Sequence, residues 1–228
     1  MTYQQTMATL RKLGTVQNIK VYKRHGAGDN FFGVSFANLN KLKKKFKIDH
    51  DLALQLWKTG NTDAQTLATM IADPERMSEP ALDKWLKDIH YYLLVDVFVG
   101  NVVSKSKFAK SRMELWTKSE DEWVGRAGWH LLAQLAMRGD SLGDSYFEKY
   151  LESVKRNIHQ SKNRTKDAMN NALIAIGIRN ATLEKKAIEA ANLIGKVNVD
   201  HGETGCKTPD AAAYIKKARA RKKSQTKN

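Results

Sequence analysis

The sequence predicts an all-α fold in which short helices follow one another in pairs, and three observations lead to it. Apolar residues recur at helical spacing almost throughout the chain. The residue choice favours helix, because Ala, Leu, Lys and Met abound and the chain holds 3 prolines, Pro74, Pro80 and Pro209. A weak internal repeat links successive pairs. Leu56-Trp57 is followed eleven residues after the Trp by Ala68, and Leu115-Trp116 eleven after by Ala127, each Ala heading an apolar stripe. With 228 residues and 42% apolar content, the chain has enough material for a core.

The elements can be justified in order. Residues 3–13 and 15–24 read as short helices before the break His25-Gly26-Ala27-Gly28-Asp29-Asn30. Ser35 is the expected N-cap of a helix carrying Leu39, Leu42 and Phe46. Asp49 or Asp51 starts the next, with Leu52, Leu54, Leu56 and Trp57, closed near Gly60. Thr62 is expected to cap a helix through Leu67, Met70 and Ile71 that ends before Pro74. Ser78-Glu79-Pro80 opens one with Leu82, Trp85 and Leu86. Further helices are expected at 90–104, 107–117, 120–138, 143–158, 163–178 and 181–194. A polar loop follows Gly195. Thr208-Pro209-Asp210 then caps a last helix expected to turn Ala211, Tyr214, Ile215 and Ala218 to one side and its basic residues to the other. The final six or so residues are expected to be disordered.

The repeat recurs once more in the second half. Trp123 and Ala127 are matched 41 residues later by Arg164 and Ala168, with Leu131 answered by Leu173-Ile174, about the period of HEAT-type repeats. Such repeats stack into a solenoid with an extended concave surface. The expected organisation is a HEAT-like domain over residues 1–200, with 201–228 forming a loop, terminal helix and basic tail that pack on or extend from it.

Charge narrows the partner. Lys plus Arg number 39 against 24 Asp plus Glu, a net +15, and the excess is clustered. One cluster is Lys41, Lys43, Lys44, Lys45 and Lys47. A second is Lys105, Lys107, Lys110 and Arg112, and a third Lys155, Arg156, Lys162, Arg164 and Lys166. Lys216, Lys217, Arg219, Arg221, Lys222 and Lys223 close the chain. Clusters recurring along a folded chain suit a polyanion, since every neutralised phosphate releases condensed counterion. The alternative for any single cluster is a solvated surface.

Several classes find no support. No apolar run approaches the ~20 residues that span a bilayer, and the first residues lack the apolar core of a secretory signal, so a cytoplasmic protein is expected. The single cysteine, Cys206, allows no internal disulfide and reads as an ordinary thiol. His25, His50, His90, His130, His159 and His201 show no ligand spacing, and no metal or other cofactor is expected. No phosphate-binding Gly-rich loop or Ser-His-Asp arrangement stands out.

Two positions carry candidate chemistry. Asp96 interrupts the apolar run Leu93-Leu94-Val95-Asp96-Val97-Phe98-Val99, where an unpaired buried carboxylate costs several kcal/mol. It is either paired with a cation from a neighbouring helix or turned to a cleft, with Gly100 one turn away leaving room beside it. Arg126 lies one turn from Trp123, Trp129 and His130. It reads as a packed side chain, as a partner for Asp96, or as a phosphate-holding group.

At these residues the chain resembles the AlkD-like family of DNA alkylation repair glycosylases. The resemblance rests on Phe32-Gly33-Val34 leading into Leu39 and Leu42, on Tyr92-Leu93-Leu94-Val95-Asp96, on Glu122-Trp123-Val124-Gly125-Arg126-Ala127, and on the loop from His201 to Asp210. It implies a HEAT-like fold with a basic concave face, Asp96 as the catalytic carboxylate, Tyr92 where the family usually has Trp, and Arg126 as a DNA-contacting arginine. The family's acidic residue after that Trp is Leu93 here, and a second cleft aromatic aligns with Asn171. Lys43, Lys44, Lys45, Trp123, Lys162, Arg164, Lys166 and Asn171 are the expected nucleic-acid-binding residues.

The implied reaction is hydrolysis of the N-glycosidic bond of an N3- or N7-alkylated purine in duplex DNA. The alkylated base is cationic and already a good leaving group, so the carboxylate need only steady the oxocarbenium-like sugar. Tyr92 would favour the cationic nucleotide through its π face. Three alternatives stand: this glycosylase, a DNA-binding scaffold without catalysis, and a HEAT-type protein- or RNA-interaction module. The expected partner is double-stranded DNA, especially alkylated, bound by a monomer.

Overall fold

Caps decide where most of the helices begin. The computed structural model describes residues 1–138 and 142–225. Among them lie α1 (Tyr3–Leu13), α2 (Val16–Arg24), α3 (Phe36–Phe46), α4 (His50–Trp57), α5 (Thr62–Ile71), α6 (Glu79–Lys87) and α7 (Tyr92–Asn101). Then follow α8 (Ala109–Trp116), α9 (Glu122–Arg138), α10 (Asp144–Asn157), α11 (Asn163–Arg179), α12 (Ala181–Ile194) and α13 (Ala211–Gln225). Thr2, Thr15, Ser35, Asp49, Ser78 and Asn180 each accept a first-turn amide with the side chain, satisfying donors that have no partner within the helix. Asp210 does the same for α13 through the Ala213 amide at 2.8 Å. No strand forms among the described residues; Gly14 and Val34 make an isolated antiparallel bridge. No described helix is long and apolar enough to cross a membrane.

Three expectations are corrected. Asn61, not Thr62, caps α5: its Oδ1 accepts the Ala64 amide at 3.1 Å while its Nδ2 donates to Asn30 Oδ1 at 3.2 Å. The helix expected at 90–104 is α7 plus a separate 3₁₀ turn, Val103–Lys105. Of the last six or so residues expected to be disordered, 223–225 continue α13, in a run of good helix formers with no breaker; residues 226–228 lie outside the described residues.

The chain divides into two compact units, Met1–Arg112 with His201–Gly205, and Met113–Asp200 with the segment from Cys206 onward. In the first, the Trp57 and Trp85 rings stack 3.9 Å apart, Phe98 tilts against both, and Trp57 Nε1 donates to Asp88 at 2.9 Å. These aromatics join α4, α6 and α7 with large apolar area and a satisfied polar tip. Asp63 on α5 holds the segment before α3, accepting the amides of Phe32, Gly33 and Val34 at 2.6, 2.9 and 3.1 Å. Burial pushes its carboxyl above the ordinary range, outweighing the three donors that pull it down. Arg112 is not a free member of a basic patch. It pairs with Asp83 at 2.7 Å and Glu79 at 3.1 Å, tying the start of α8 to α6.

In the second unit α11 is the central element, packed against α9, α10, α12 and α13. It is buried nearly all round from Ala168 to Ile178, which explains why its apolar pattern fills most of its circumference. The repeat read from the sequence corresponds to packing. Trp57 and Trp116 are buried where α4 and α8 end, and Ala68 and Ala127 are fully buried on the following helices α5 and α9. Close approach is needed at the second of these pairs, since a Cβ on Gly128 would lie 2.4 Å from the Thr117 amide nitrogen and 2.5 Å from the Trp116 carbonyl carbon.

Candidate nucleic-acid interface

Helical periodicity divides α7 into two faces. Leu94, Val95, Phe98 and Val99 are buried, with α7 packed against α5, while Tyr92, Leu93, Asp96, Val97 and Gly100 are half-buried. Asp96 therefore escapes the apolar interior its sequence neighbours suggest, and lies on the same stripe as Tyr92 and Gly100. A Cβ at Gly100 would meet nothing within 4 Å, so the space next to Asp96 on this stripe is open. Tyr92 is fixed from two sides: its hydroxyl shares a 2.5 Å hydrogen bond with His25 Nδ1 at the end of α2, and Tyr91 meets its ring edge-on at 5.6 Å. Asn101 Nδ2 donates to Thr69 Oγ1 at 3.3 Å and fixes the end of α7 on α5.

Arg126 belongs to the second unit and is only 3% exposed. Its Nη1 pairs with Asp167 at 2.8 Å and donates to the Arg164 carbonyl at 3.2 Å. The adjoining residues serve the same helix pair. Glu122 accepts the Arg164 amide at 2.7 Å, and Thr165 Oγ1 donates to the Glu122 carbonyl at 3.0 Å, with Gly125 facing Thr165. The run from Glu122 to Ala127 thus clamps the first turn of α11 onto α9. The sequence reading missed Asp167 and named Glu122 only as part of the motif around Arg126, without its role on α11. A signal for Asp167 existed, since it lies 41 residues after Arg126, the period of the repeat.

The remaining expected residues stand as follows. Lys44 and Lys45 are exposed and Lys43 half-buried on α3 in the first unit. In the second, Lys162 is exposed at the N-cap of α11, and Trp123, Arg164, Lys166 and Asn171 are half-buried. Among the described residues no group of three or more His, Cys, Asp or Glu side chains is placed to hold a metal ion.

Paired helices, two of the pairs (α4–α5 and α8–α9) offering one buried aromatic and one buried alanine at equivalent points, define a HEAT-like helical-repeat protein. A solved structure aligns with this chain at a TM-score of 0.89 and 34% identity, covering 97% of this chain and 95% of that one. It is described as a new family of proteins related to the HEAT-like repeat DNA glycosylases with affinity for branched DNA structures. The family model for DNA alkylation repair enzymes matches residues 6–225, and the chain belongs to that family. Two relatives are the uncharacterized protein Lin0241 of Listeria innocua serovar 6a and the uncharacterized protein Lmo0209 of Listeria monocytogenes serovar 1/2a. The first is 30% identical, covering 96% of this chain and 98% of the relative. The second is 29% identical, covering 97% and 99%.

Proposed function

We propose that this protein binds DNA and recognises branched as well as duplex forms, acting as a monomer through its helical repeats and exposed basic residues. The observation that carries the reading is the whole-length likeness to a glycosylase-related protein with affinity for branched DNA, joined to a net charge of +15. The site geometry is in keeping with it. In the first unit the Tyr92 hydroxyl is engaged by His25; in the second, Arg126 is buried against Asp167 and Asn171 stands where the resemblance implies an aromatic, so the second unit lacks a stacking face at that position. In the first unit the exposed Lys44 and Lys45 supply phosphate contacts; in the second, Lys162, Arg164 and Lys166 do so at the start of α11, which Arg126 holds on α9.

A second reading, hydrolysis of cationic N3- or N7-alkylpurines from duplex DNA, is favoured by one observation: Asp96 is half-buried beside open space at Gly100. There its carboxylate would face the sugar as positive charge develops. The binding reading is tested by fluorescence anisotropy on a flush duplex, a fork and a four-way junction of equal length over a salt series. Expected is salt-sensitive binding to all three, tighter for the branched forms, that persists in Asp96→Ala. No binding to any DNA at 100 mM salt overturns it. Release of methylated base from alkylated duplex, lost in Asp96→Asn, establishes the second reading, and a clean preparation that releases none removes it.

A further inference from the structure

The packed side of α13 is set by residues four apart. Ala211 and Ile215 are buried, Ile215 completely, and a Cβ on Gly177 of α11 would lie 2.6 Å from Ile215 Cδ1. One turn on, Arg219 pairs with Glu184 at 3.0 Å and donates to the Ile178 carbonyl at 3.4 Å. With 211, 215 and 219 facing α11 and α12, the helix must turn 214, 217, 221 and 224 outward. Tyr214 therefore leaves the packed side on which its spacing had placed it. It is 52% exposed, and Lys217 and Arg221 are exposed along the same stripe. Lys216, Lys217 and Arg221 make no ion pair among the described residues, and α13 contains no Asp or Glu to neutralise them. Ala213 and Ala220, also exposed, flank the stripe with small side chains that let a strand lie close.

We infer that this face of α13 is a binding site for unpaired nucleotides at a DNA branch, with Tyr214 stacking on a base and Lys217 and Arg221 holding the adjoining phosphates. The inference rests on the DNA-binding reading and adds the group that distinguishes a branch from a flush duplex. An aromatic face beside aligned cations is what single-stranded nucleic acid requires, because every base has a π face and every linkage a charge. A membrane surface would call for several large apolar side chains along the stripe, and Tyr214 is the single large one.

The test uses the full chain with a forked DNA carrying 2-aminopurine in its first unpaired nucleotides, and a flush duplex of matched length. Tyr214→Ala is expected to weaken fork binding about tenfold and to abolish 2-aminopurine quenching, while duplex binding and melting temperature stay unchanged. Tyr214→Phe should behave as wild type. Lys217→Gln combined with Arg221→Gln should reduce the salt slope on the fork by about 1.4. If wild type binds forks but Tyr214→Ala binds and quenches equally well, the α13 site is wrong and the DNA-binding reading survives. If wild type binds neither DNA, both fall. Capture of a poly-glutamate peptide that depends on Tyr214, with fork binding unaffected, assigns the face to acidic proteins and also overturns the site.

Discussion

Replacing Arg126 by methionine keeps much of the side-chain volume but leaves Asp167 without its cation and removes the guanidinium bond to the Arg164 carbonyl. The Arg126 and Asp167 side chains are 4% and 14% exposed, so water replaces little of what is lost. Removing one partner of a buried pair costs roughly 3–5 kcal/mol, and the partial exposure of Asp167 places this case near 3. For a unit of this size that lowers the melting temperature on the order of 10 °C. Asp167→Asn should cost less, because Arg126 keeps its bond to Arg164. In the double variant the two losses should fall well short of additive, since each single change breaks the same contact. Thermal melts followed by circular dichroism and Trp fluorescence give the three values. Shifts below about 2 °C for both single variants, or strict additivity, would refute a structural clamp and return Arg126 to the residues available for phosphate.

Three other outcomes follow from the packing. Gly128→Ala gains helix propensity of about 1 kcal/mol but drives its Cβ into the backbone at Trp116 and Thr117; a net loss of roughly 1–3 kcal/mol is expected in denaturant, and a gain would mean the two helices separate freely. Asp63→Ala strands three backbone donors and should cost on the order of 3 kcal/mol or more, with Asp63→Asn intermediate; equal loss in both would show that the oxygens are not what holds the segment. His50 accepts the Asp73 amide at Nδ1, 3.2 Å away, and its pKa is lowered chiefly by burial and then by Arg76, against the pull of Asp73 and Asp51. A lowered folded pKa means the unfolded chain takes the proton first, so stability present above about pH 6.5 is lost as pH falls through the folded value. The fall in melting temperature between pH 7.5 and 5.5 should therefore be smaller in His50→Asn than in wild type, and an equal fall would rule this histidine out as its source.

Much of the fold was legible because it depends on local chemistry. Ser35 and Ser78 cap the helices they were expected to open, Asp49 rather than its alternative Asp51 caps α4, and Asp210 caps α13 from the stretch Thr208-Pro209-Asp210. Pro74 follows the end of α5 and Pro80 sits in the first turn of α6, since capping and proline sterics act within a few residues. The cap of α5 moved from Thr62 to Asn61 because Asn61 is also held by Asn30, 31 residues away, a contact that local spacing does not register.

The candidate site was legible as a set of residue types and not as an arrangement. Asp96 stood out in its apolar run, yet whether it is buried follows from the rotation of α7 on α5, which puts Leu94, Val95, Phe98 and Val99 inside. Arg126 was noticed beside its aromatic neighbours, but its partner Asp167 is on another helix and enters through the repeat.

By itself the sequence determined the helical class, the ends of most helices, the repeat and the excess of positive charge, all properties of residues and their near neighbours. Tertiary structure alone decided that Arg126 is a buried clamp, that Arg112 joins α8 to α6, and that Tyr214 faces outward among cations. Those outcomes depend on how each helix is turned about its axis. That turn is set by which distant side chain, such as Ile215 over Gly177, takes the buried seat.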